Sequence, residues 1–111
     1  ILWLQLERGL AGLGPNADYS RLAVAYEPVW AIGTGQTASD EDIRMVHTLV
    51  RELLSSLLGS NGIGIQILYG GSVKPDNAKA ILSLDNVDGL LVGGASLQAQ
   101  SFADIVRADL A

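Results

Sequence analysis

The 111-residue chain has the length and apolar content of one small globular domain, since 49% of its residues are hydrophobic and 17% are charged. Its net charge of -5 offers no basic field to nucleic acid or an anionic membrane, so an anionic ligand must be held by a few placed groups. No apolar run approaches the roughly 20 residues of a membrane span, and we expect a soluble protein. Zero cysteines and a single histidine exclude a disulfide framework and thiolate or histidine metal clusters. We therefore expect no metal site, and we also expect no cofactor.

The chain opens with a predicted helix from Ile1 to Leu13, where apolar residues recur at helical spacing before Gly12, Gly14 and Pro15. This opening has no Met, no basic segment and no cleavage signature. We expect the chain to be cut from a longer protein.

A strand and a loop follow the first helix. The apolar run of residues 22–26 predicts a parallel strand covered on both faces, and it ends at Glu27. Residues 28–37 combine a rigid proline with two glycines and predict a surface loop.

A long amphipathic helix comes next. Ser39 is its predicted N-cap with Asp42 at the third helical position, and it runs to about Leu58 before Gly59 ends it. The helix buries one apolar stripe, which comprises Ile43, Val46, Val50, Leu53, Leu54 and Leu57.

Two further units repeat the order of strand, glycine-containing loop and helix: 65–69, 70–72 and 75–82, then 88–92, 93–94 and 101–110. Strict alternation predicts parallel strands with right-handed crossovers, in an open doubly wound sheet or in a segment of a β/α barrel. The unusual residues all follow the carboxyl ends of strands, where both architectures bind ligands. A partial barrel exposes strand edges and apolar interior, so we expect a partner to cover them.

Glu27 is the candidate general base. It stands where an apolar strand meets a loop, beside Pro28 and near Trp30, in surroundings that partly exclude water from a carboxylate. The alternative is a strand-end glutamate in a salt bridge. The loop itself, with a rigid entrance, apolar residues and hinge glycines, has the composition of a lid over a ligand, although an ordinary connection is the competing interpretation.

Paired glycines follow the second and third strands, at 70–71 and 93–94. Without side chains, their amides can approach an oxyanion closely, and a short helix starting near Gly94 would add its amino end to an anion-binding nest. A single pair after a strand usually marks only a tight turn. Two pairs in consecutive units favour anion binding.

Other polar residues have simpler interpretations. His47 lies in the middle of the long helix beside its apolar stripe, so we expect a structural role. Lys74 is close to a glycine loop, but a solvated surface lysine is the preferred interpretation. Arg51 is expected to pair with Asp85 or Asp88 on the face opposite the ligand.

Three motifs carry a family resemblance. The string AYEPVWAIGTG at 25–35 resembles the signature of the triosephosphate isomerase family, and the strings at 69–73 and 91–97 resemble its later motifs in the same order. The resemblance covers essentially the whole chain and is weakest before Tyr19. It implies a partial TIM (β/α)8 barrel: helix 5 in 1–14, strand 6 with the lid loop and helix 6 in 22–58, strand 7 with helix 7 in 65–82, and strand 8 with helix 8 in 87–110.

The resemblance also implies roles for individual residues. Glu27 would be the base that moves a proton between two carbons of dihydroxyacetone phosphate and D-glyceraldehyde 3-phosphate through an enediolate, in a family that is itself a standard worked example of pKa tuning. Trp30 and Tyr69 would support the lid, which excludes water. The substrate phosphate would be bound by the backbone amides of Gly33, Ser72, Gly93 and Gly94.

Part of the family's site is missing from this sequence. The substrate-contacting asparagine and lysine, the electrophilic histidine and the main dimerisation loop all belong to earlier strands in the family. We therefore expect the chain alone to be nearly inactive. The resemblance implies that it acts after joining the N-terminal half of the barrel, in the cytoplasm, in glycolysis and gluconeogenesis. Oligomerisation is also expected. The alternatives are an isolated half-barrel that binds phosphate or self-associates without catalysis, and another phosphosugar barrel enzyme.

Overall fold

A computed structural model describes residues 1–14, 16–28 and 38–109. Three parallel strands form one sheet in the order β1-β2-β3, and Ala23 of β1 stands opposite Gln66 of β2. Leu68 of β2 stands opposite Gly89 of β3. The strands are β1 (Ala23–Tyr26), β2 (Gln66–Tyr69) and β3 (Gly89–Leu90). The helices are α1 (Leu2–Gly9), α2 (Asp40–Leu58), α3 (Ser60–Ile63), α4 (Pro75–Leu82) and α5 (Ala99–Ala108), with short 3₁₀ helices at Tyr19–Arg21 and Gly94–Leu97.

Helix α2 begins and ends where its sequence predicts. The Ser39 hydroxyl accepts from the Asp42 amide at 3.1 Å, and three acidic residues occupy the first turn, where the helix dipole favours negative charge. Gly59 ends the helix with a φ of 61°, a left-handed conformation that favours glycine. The fully buried face consists of Ile43, His47, Val50 and Leu54. His47 thus lies within the buried stripe and not at its edge, because its position continues the i, i+3, i+4 spacing of its neighbours.

Two apolar clusters pack the helices against one face of the sheet. The first lies under the carboxyl ends of the strands and includes Ile43, Tyr69, Ala78, Ile81 and Ile105. The second joins α1 and the later turns of α2 to the sheet and includes Val50, Leu54, Ile65 and Ile67, with Leu2, Leu6 and Leu10 against them. Each large side chain buried here stabilises the fold by about 1.5 to 3 kcal/mol.

The second face of the sheet is open in this chain. Ala23 and Ala25 of β1 are exposed, whereas Val24 and Tyr26 pack against the helices. The expected strand covered on both faces is therefore covered on one. Side chains alternate between the faces of a strand, so the sheet leaves an apolar surface for further packing.

Polar side chains cluster at the amino ends of the strands, around Arg51. Its guanidinium bonds to the Asp88 carboxylate at 2.8 Å and to the carbonyls of Gly62, Ile63 and Ile65. Asp88 also accepts from the Ile67 amide at 2.8 Å. The pairing of Arg51 with Asp88, one of the two predicted partners, is confirmed. We refer to this group of bonds as the basal network.

The structure corrects several predicted boundaries. Helix α1 ends at Gly9 and not at Leu13, because glycine weakens the last turn and Gly12 then adopts a φ of 90°. Strand β3 has two residues where five were predicted. At its amino end the Ile67 amide donates to the Asp88 carboxylate and not to a carbonyl of the strand. Helix α3 was not predicted. Helix α5 starts at Ala99 and not at Ser101, and its predicted end at residue 110 lies outside the described residues.

Candidate active site

A cleft of about 830 Å³ opens at the carboxyl ends of the three strands. Because parallel strands end at the same edge of a sheet, loops far apart in sequence meet there. The cleft is lined by one carboxylate and by loops that follow β2 and β3, comprising Glu27, 70–76 and 91–95, with Ser101 of α5. The predicted convergence of three strand ends on one site is seen directly.

Glu27 enters the cleft directly after β1. A Cβ atom placed on Gly70 would stand 2.6 Å from Glu27 Cγ, so the carboxylate side chain lies across the backbone of the neighbouring loop. The Glu27 side chain is exposed in this chain, and the partial exclusion of water expected from its sequence surroundings is not present. In the described part of the chain, the cleft is open to solvent at Glu27. Trp30, which was expected nearby, lies outside the described residues.

The loop after β2 is anchored to both neighbouring strands. The Gly70 amide donates to the Tyr26 carbonyl at 2.8 Å, and the Leu91 amide donates to the Tyr69 carbonyl at 2.9 Å. A Cβ atom on Gly71 would stand 1.9 Å from the Tyr69 hydroxyl, so only glycine fits the observed arrangement. Glycine is thus required at position 71 by the buried Tyr69 side chain, whereas the contact at Gly70 is with the exposed Glu27 side chain.

Tyr69 is fully buried beneath this loop. Its ring lies 6.4 Å from the Tyr26 ring and 6.1 Å from the His47 ring. Burial raises the pKa of the Tyr69 hydroxyl, and the backbone of Ala38 opposes part of that rise. Ala38 comes directly after the segment that was predicted to be a lid, so Tyr69 is placed beside the point where that segment meets α2.

The loop after β3 presents its backbone to the cleft. Gly93 and Gly94 are exposed, and a Cβ atom on either would meet nothing within 4 Å. The Ser96 amide donates to the Gly93 carbonyl at 2.9 Å, which closes the first turn of the 3₁₀ helix Gly94–Leu97. The carbonyl of Gly93 is therefore used within the turn, of which Gly93 is the N-cap and Gly94 the first residue.

The predicted site residues divide into two groups. Four of them line the one cleft, namely Glu27, Ser72, Gly93 and Gly94, and Tyr69 is buried directly beneath it. Gly33 and Trp30 lie outside the described residues. Lys74 is exposed at the rim of the cleft, as expected for a solvated lysine.

One polar residue beside the site was missed by sequence reasoning. Asn77, in the first turn of α4, bonds through its side chain to the Lys74 amide and to the Ser72 carbonyl. Its place three residues after a helix N-cap is the signal that would have predicted the first of these bonds. The second bond joins elements that only the folded loop brings together.

Comparison with protein families identifies this arrangement. A family model described as triosephosphate isomerase matches residues 1–109. The chain belongs to the triosephosphate isomerase family. The fold is therefore part of a TIM barrel, and the choice between barrel segment and open doubly wound sheet is settled in favour of the barrel.

Individual members of the triosephosphate isomerase family show the extent of the match. The chain is 58% identical over 108 residues to a triosephosphate isomerase of Nitratidesulfovibrio vulgaris and 59% identical to one of Oleidesulfovibrio alaskensis. Each alignment covers 97% of this chain and 43% of the relative. A crystal structure of triosephosphate isomerase from Bartonella henselae superposes with a TM-score of 0.81 at 36% identity, over 100% of this chain and 44% of that one. The chain thus spans less than half the length of these relatives.

The described residues contain neither a group of metal ligands nor a helix that could span a membrane. Among residues 1–14, 16–28 and 38–109, no three His, Cys, Asp or Glu side chains are grouped so that they could hold a metal ion. In the same ranges, no helix has the length and apolarity needed to cross a membrane.

Proposed function

We propose that this chain supplies the base and the phosphate-binding side of a triosephosphate isomerase, an intramolecular aldose-ketose isomerase that interconverts dihydroxyacetone phosphate and D-glyceraldehyde 3-phosphate. The observation that carries the proposal is the meeting of Glu27 with both glycine loops in one cleft, in a chain of this family. Strands β1, β2 and β3 would be strands 6, 7 and 8 of the complete barrel.

Glu27 acts as the general base in this proposal. It removes a proton from the carbon beside the substrate carbonyl and returns it to the neighbouring carbon, through an enediolate. Its position across the Gly70 backbone places the base against the loop that also binds the phosphate. The same loop therefore sets the distance between the base and the bound phosphoryl group.

The phosphate is held by backbone amides in this proposal. Ser72, Gly93 and Gly94 line the cleft, and we assign their amides, together with that of Gly33, to the phosphoryl oxygens. The chain is acidic, with a net charge of -5, so local donors and not a general field must attract the dianion. Trp30 and Tyr69 are assigned to the support of the lid.

The chain alone is expected to be nearly inactive. An enediolate requires donors at its developing oxyanion, and loss of one such donor typically costs about 3 kcal/mol, or roughly a hundredfold or more in rate. The open side of the cleft is where such donors would have to stand. We propose that the preceding part of the barrel supplies them and that the assembled enzyme acts in the cytoplasm, in glycolysis and gluconeogenesis, as an oligomer.

Reconstitution tests the proposed function. The chain is combined with the N-terminal strands of a relative such as the N. vulgaris enzyme, and isomerisation is followed in a coupled assay. We expect activity from the pair and none from either part. Glu27→Gln should lower kcat by about 10²- to 10⁴-fold, and Glu27→Asp should also remove most of the activity. Undiminished turnover in the Gln variant would remove Glu27 from its role.

Self-association of the lone chain is a second expectation. The open sheet face and the exposed apolar side chains Leu91, Leu97 and Val106 leave apolar surface in water, and burying it lowers the free energy. Light scattering should therefore report particles larger than 11.6 kDa, and addition of the N-terminal part should dissolve them into a single defined complex. A compact monomer that stays stable alone would contradict this expectation.

A further inference from the structure

The side chain of Asn77 joins helix α4 to the loop after β2. Its Oδ1 atom accepts from the Lys74 amide at 2.8 Å, and its Nδ2 atom donates to the Ser72 carbonyl at 3.0 Å. The residue is half-buried at the third position of α4. One amide group therefore holds two backbone segments at a fixed separation.

The first bond caps the helix. Lys74 is the N-cap of α4, and a lysine side chain has no acceptor for the free amides of the first turn. Asn77 takes the Lys74 amide with its side chain, and its own amide donates to the Lys74 carbonyl at 3.1 Å. This bond explains the asparagine as part of a stable helix start.

The second bond is not needed by the helix. It holds the Ser72 carbonyl, which is on the same residue as the amide assigned to the substrate phosphate. Fixing that carbonyl restricts rotation about the Ser72 Cα–C bond and holds the chain just after the amide. The two residues before Ser72 are Gly70 and Gly71, which restrict their own backbone least. Asn77 therefore restricts the backbone of a loop whose two glycines restrict it little.

We propose that Asn77 is a positioning residue for phosphate binding, which orients the Ser72 amide toward the phosphoryl dianion before the substrate arrives. The inference rests on the proposed function, because that function assigns the Ser72 amide to the phosphate. Asn77 does not touch the substrate. It lowers the entropy lost when the loop closes on the phosphoryl group, which appears as tighter binding.

The experiment compares Asn77→Ala with Ser83→Ala in the complete barrel. Ser83 donates its hydroxyl to the Lys79 carbonyl at 2.7 Å, at the opposite end of the same helix, so both variants lose side-chain hydrogen bonds to α4. Asn77→Ala should raise KM for the triose phosphate, and the Kd of inorganic phosphate, by roughly 3- to 10-fold. Because Glu27 is untouched, kcat should stay within about twofold. Ser83→Ala should leave KM and Kd at the parent values.

Asn77→Asp separates the two bonds of the side chain. A carboxylate still accepts from the Lys74 amide but has no proton for the Ser72 carbonyl. This variant should keep the thermal stability of the parent and still bind phosphate more weakly. Because the added charge repels phosphate, the titration is repeated at about 0.5 M salt, where charge effects are largely screened. The weakening should persist there.

Three outcomes are distinguishable. If both Asn77 variants bind phosphate as tightly as Ser83→Ala, Asn77 is only a helix cap and the inference is wrong. If phosphate binding depends on Asn77 in a barrel that does not isomerise triose phosphates, the inference stands and the proposed function fails. If isomerisation depends on Glu27 while KM and Kd ignore Asn77, the proposed function stands and the inference fails.

Discussion

At the amino ends of the strands, charged side chains form hydrogen bonds within the protein. At the carboxyl ends, glycine-containing loops line a cleft. The basal network joins Arg51 to Asp88 and to three backbone carbonyls. The cleft is bordered by glycines and by one exposed carboxylate. The comparison indicates that stability and chemistry occupy opposite ends of the same three strands, as β/α barrels generally arrange them.

Arg51→Ala is the strongest test of the stability end. It removes the four bonds of Arg51 in the basal network and a fifth to the Asn86 side chain. It also leaves the Asp88 carboxylate without its cation, so we expect a loss of about 2 to 4 kcal/mol in the free energy of unfolding. Urea denaturation of the complete barrel measures it. KM and kcat should be unchanged at temperatures where the variant is folded.

The matched control for that variant is Arg44→Ala. Arg44 also pairs with a carboxylate, that of Glu41, but both side chains are on the surface, where ion pairs add little to stability. Its unfolding midpoint should match that of the parent. A large fall in activity of folded Arg51→Ala would contradict the separation of the two ends.

Gly70→Ala tests the chemical end. The new methyl would stand 2.6 Å from Glu27 Cγ, and since an exposed side chain can move aside, the fold should survive while the base is displaced. Displacement of a catalytic group by about 1 Å can cost roughly 10²-fold, and we expect kcat to fall by about 10- to 100-fold. The control is Gly64→Ala, where a Cβ meets nothing within 4 Å. Equal kcat in the two variants would show that Glu27 is not held by this loop.

The smallest expected effect is a pH dependence of stability at His47, which lies between the two ends. Burial lowers the pKa of His47, with a further lowering from Arg51, while its bond to the Asn86 carbonyl and the charge of Asp88 act in the opposite direction. His47 Nδ1 lies 3.0 Å from that carbonyl oxygen, and Nε2 is buried with no hydrogen-bond partner among the residues that the structure describes. A second ring proton would have no acceptor among them.

The sign of the effect follows from these contacts. An unfolded histidine has a pKa near 6.5. Just below that pH, His47 is protonated in the unfolded chain and stays neutral in the folded chain, where its pKa is lower. Stability should therefore fall as pH decreases from about 7 toward the lower folded pKa. In His47→Gln this part of the pH dependence should vanish. The free energy of unfolding of both proteins is measured by urea denaturation between about pH 7.5 and 5.5. An identical dependence of that free energy on pH in the two proteins would contradict the assignment.

Sequence reasoning predicted the parallel order of the elements and the convergence of three strand ends because both depend on local patterns. Apolar runs, the Ser39 cap and the glycine pairs each act within a few residues. It placed Arg51 opposite Asp88 or Asp85 but did not predict helix α3, whose carbonyls that arginine also binds. It also missed the bond from Asn77 to the Ser72 carbonyl, because that bond depends on how the loop folds back onto helix α4. The bond from the Asp88 carboxylate to the Ile67 amide joins groups 21 positions apart, and no local pattern predicts it.

The bond between Arg51 and Asp88 spans 37 positions along the chain, and it sets when β2 can be secured during synthesis. A nascent polypeptide that has emerged only through β2 carries the guanidinium and the Ile67 amide without the carboxylate that joins them. Residue 88 must therefore leave the ribosome before these bonds at the base of the middle strand can form.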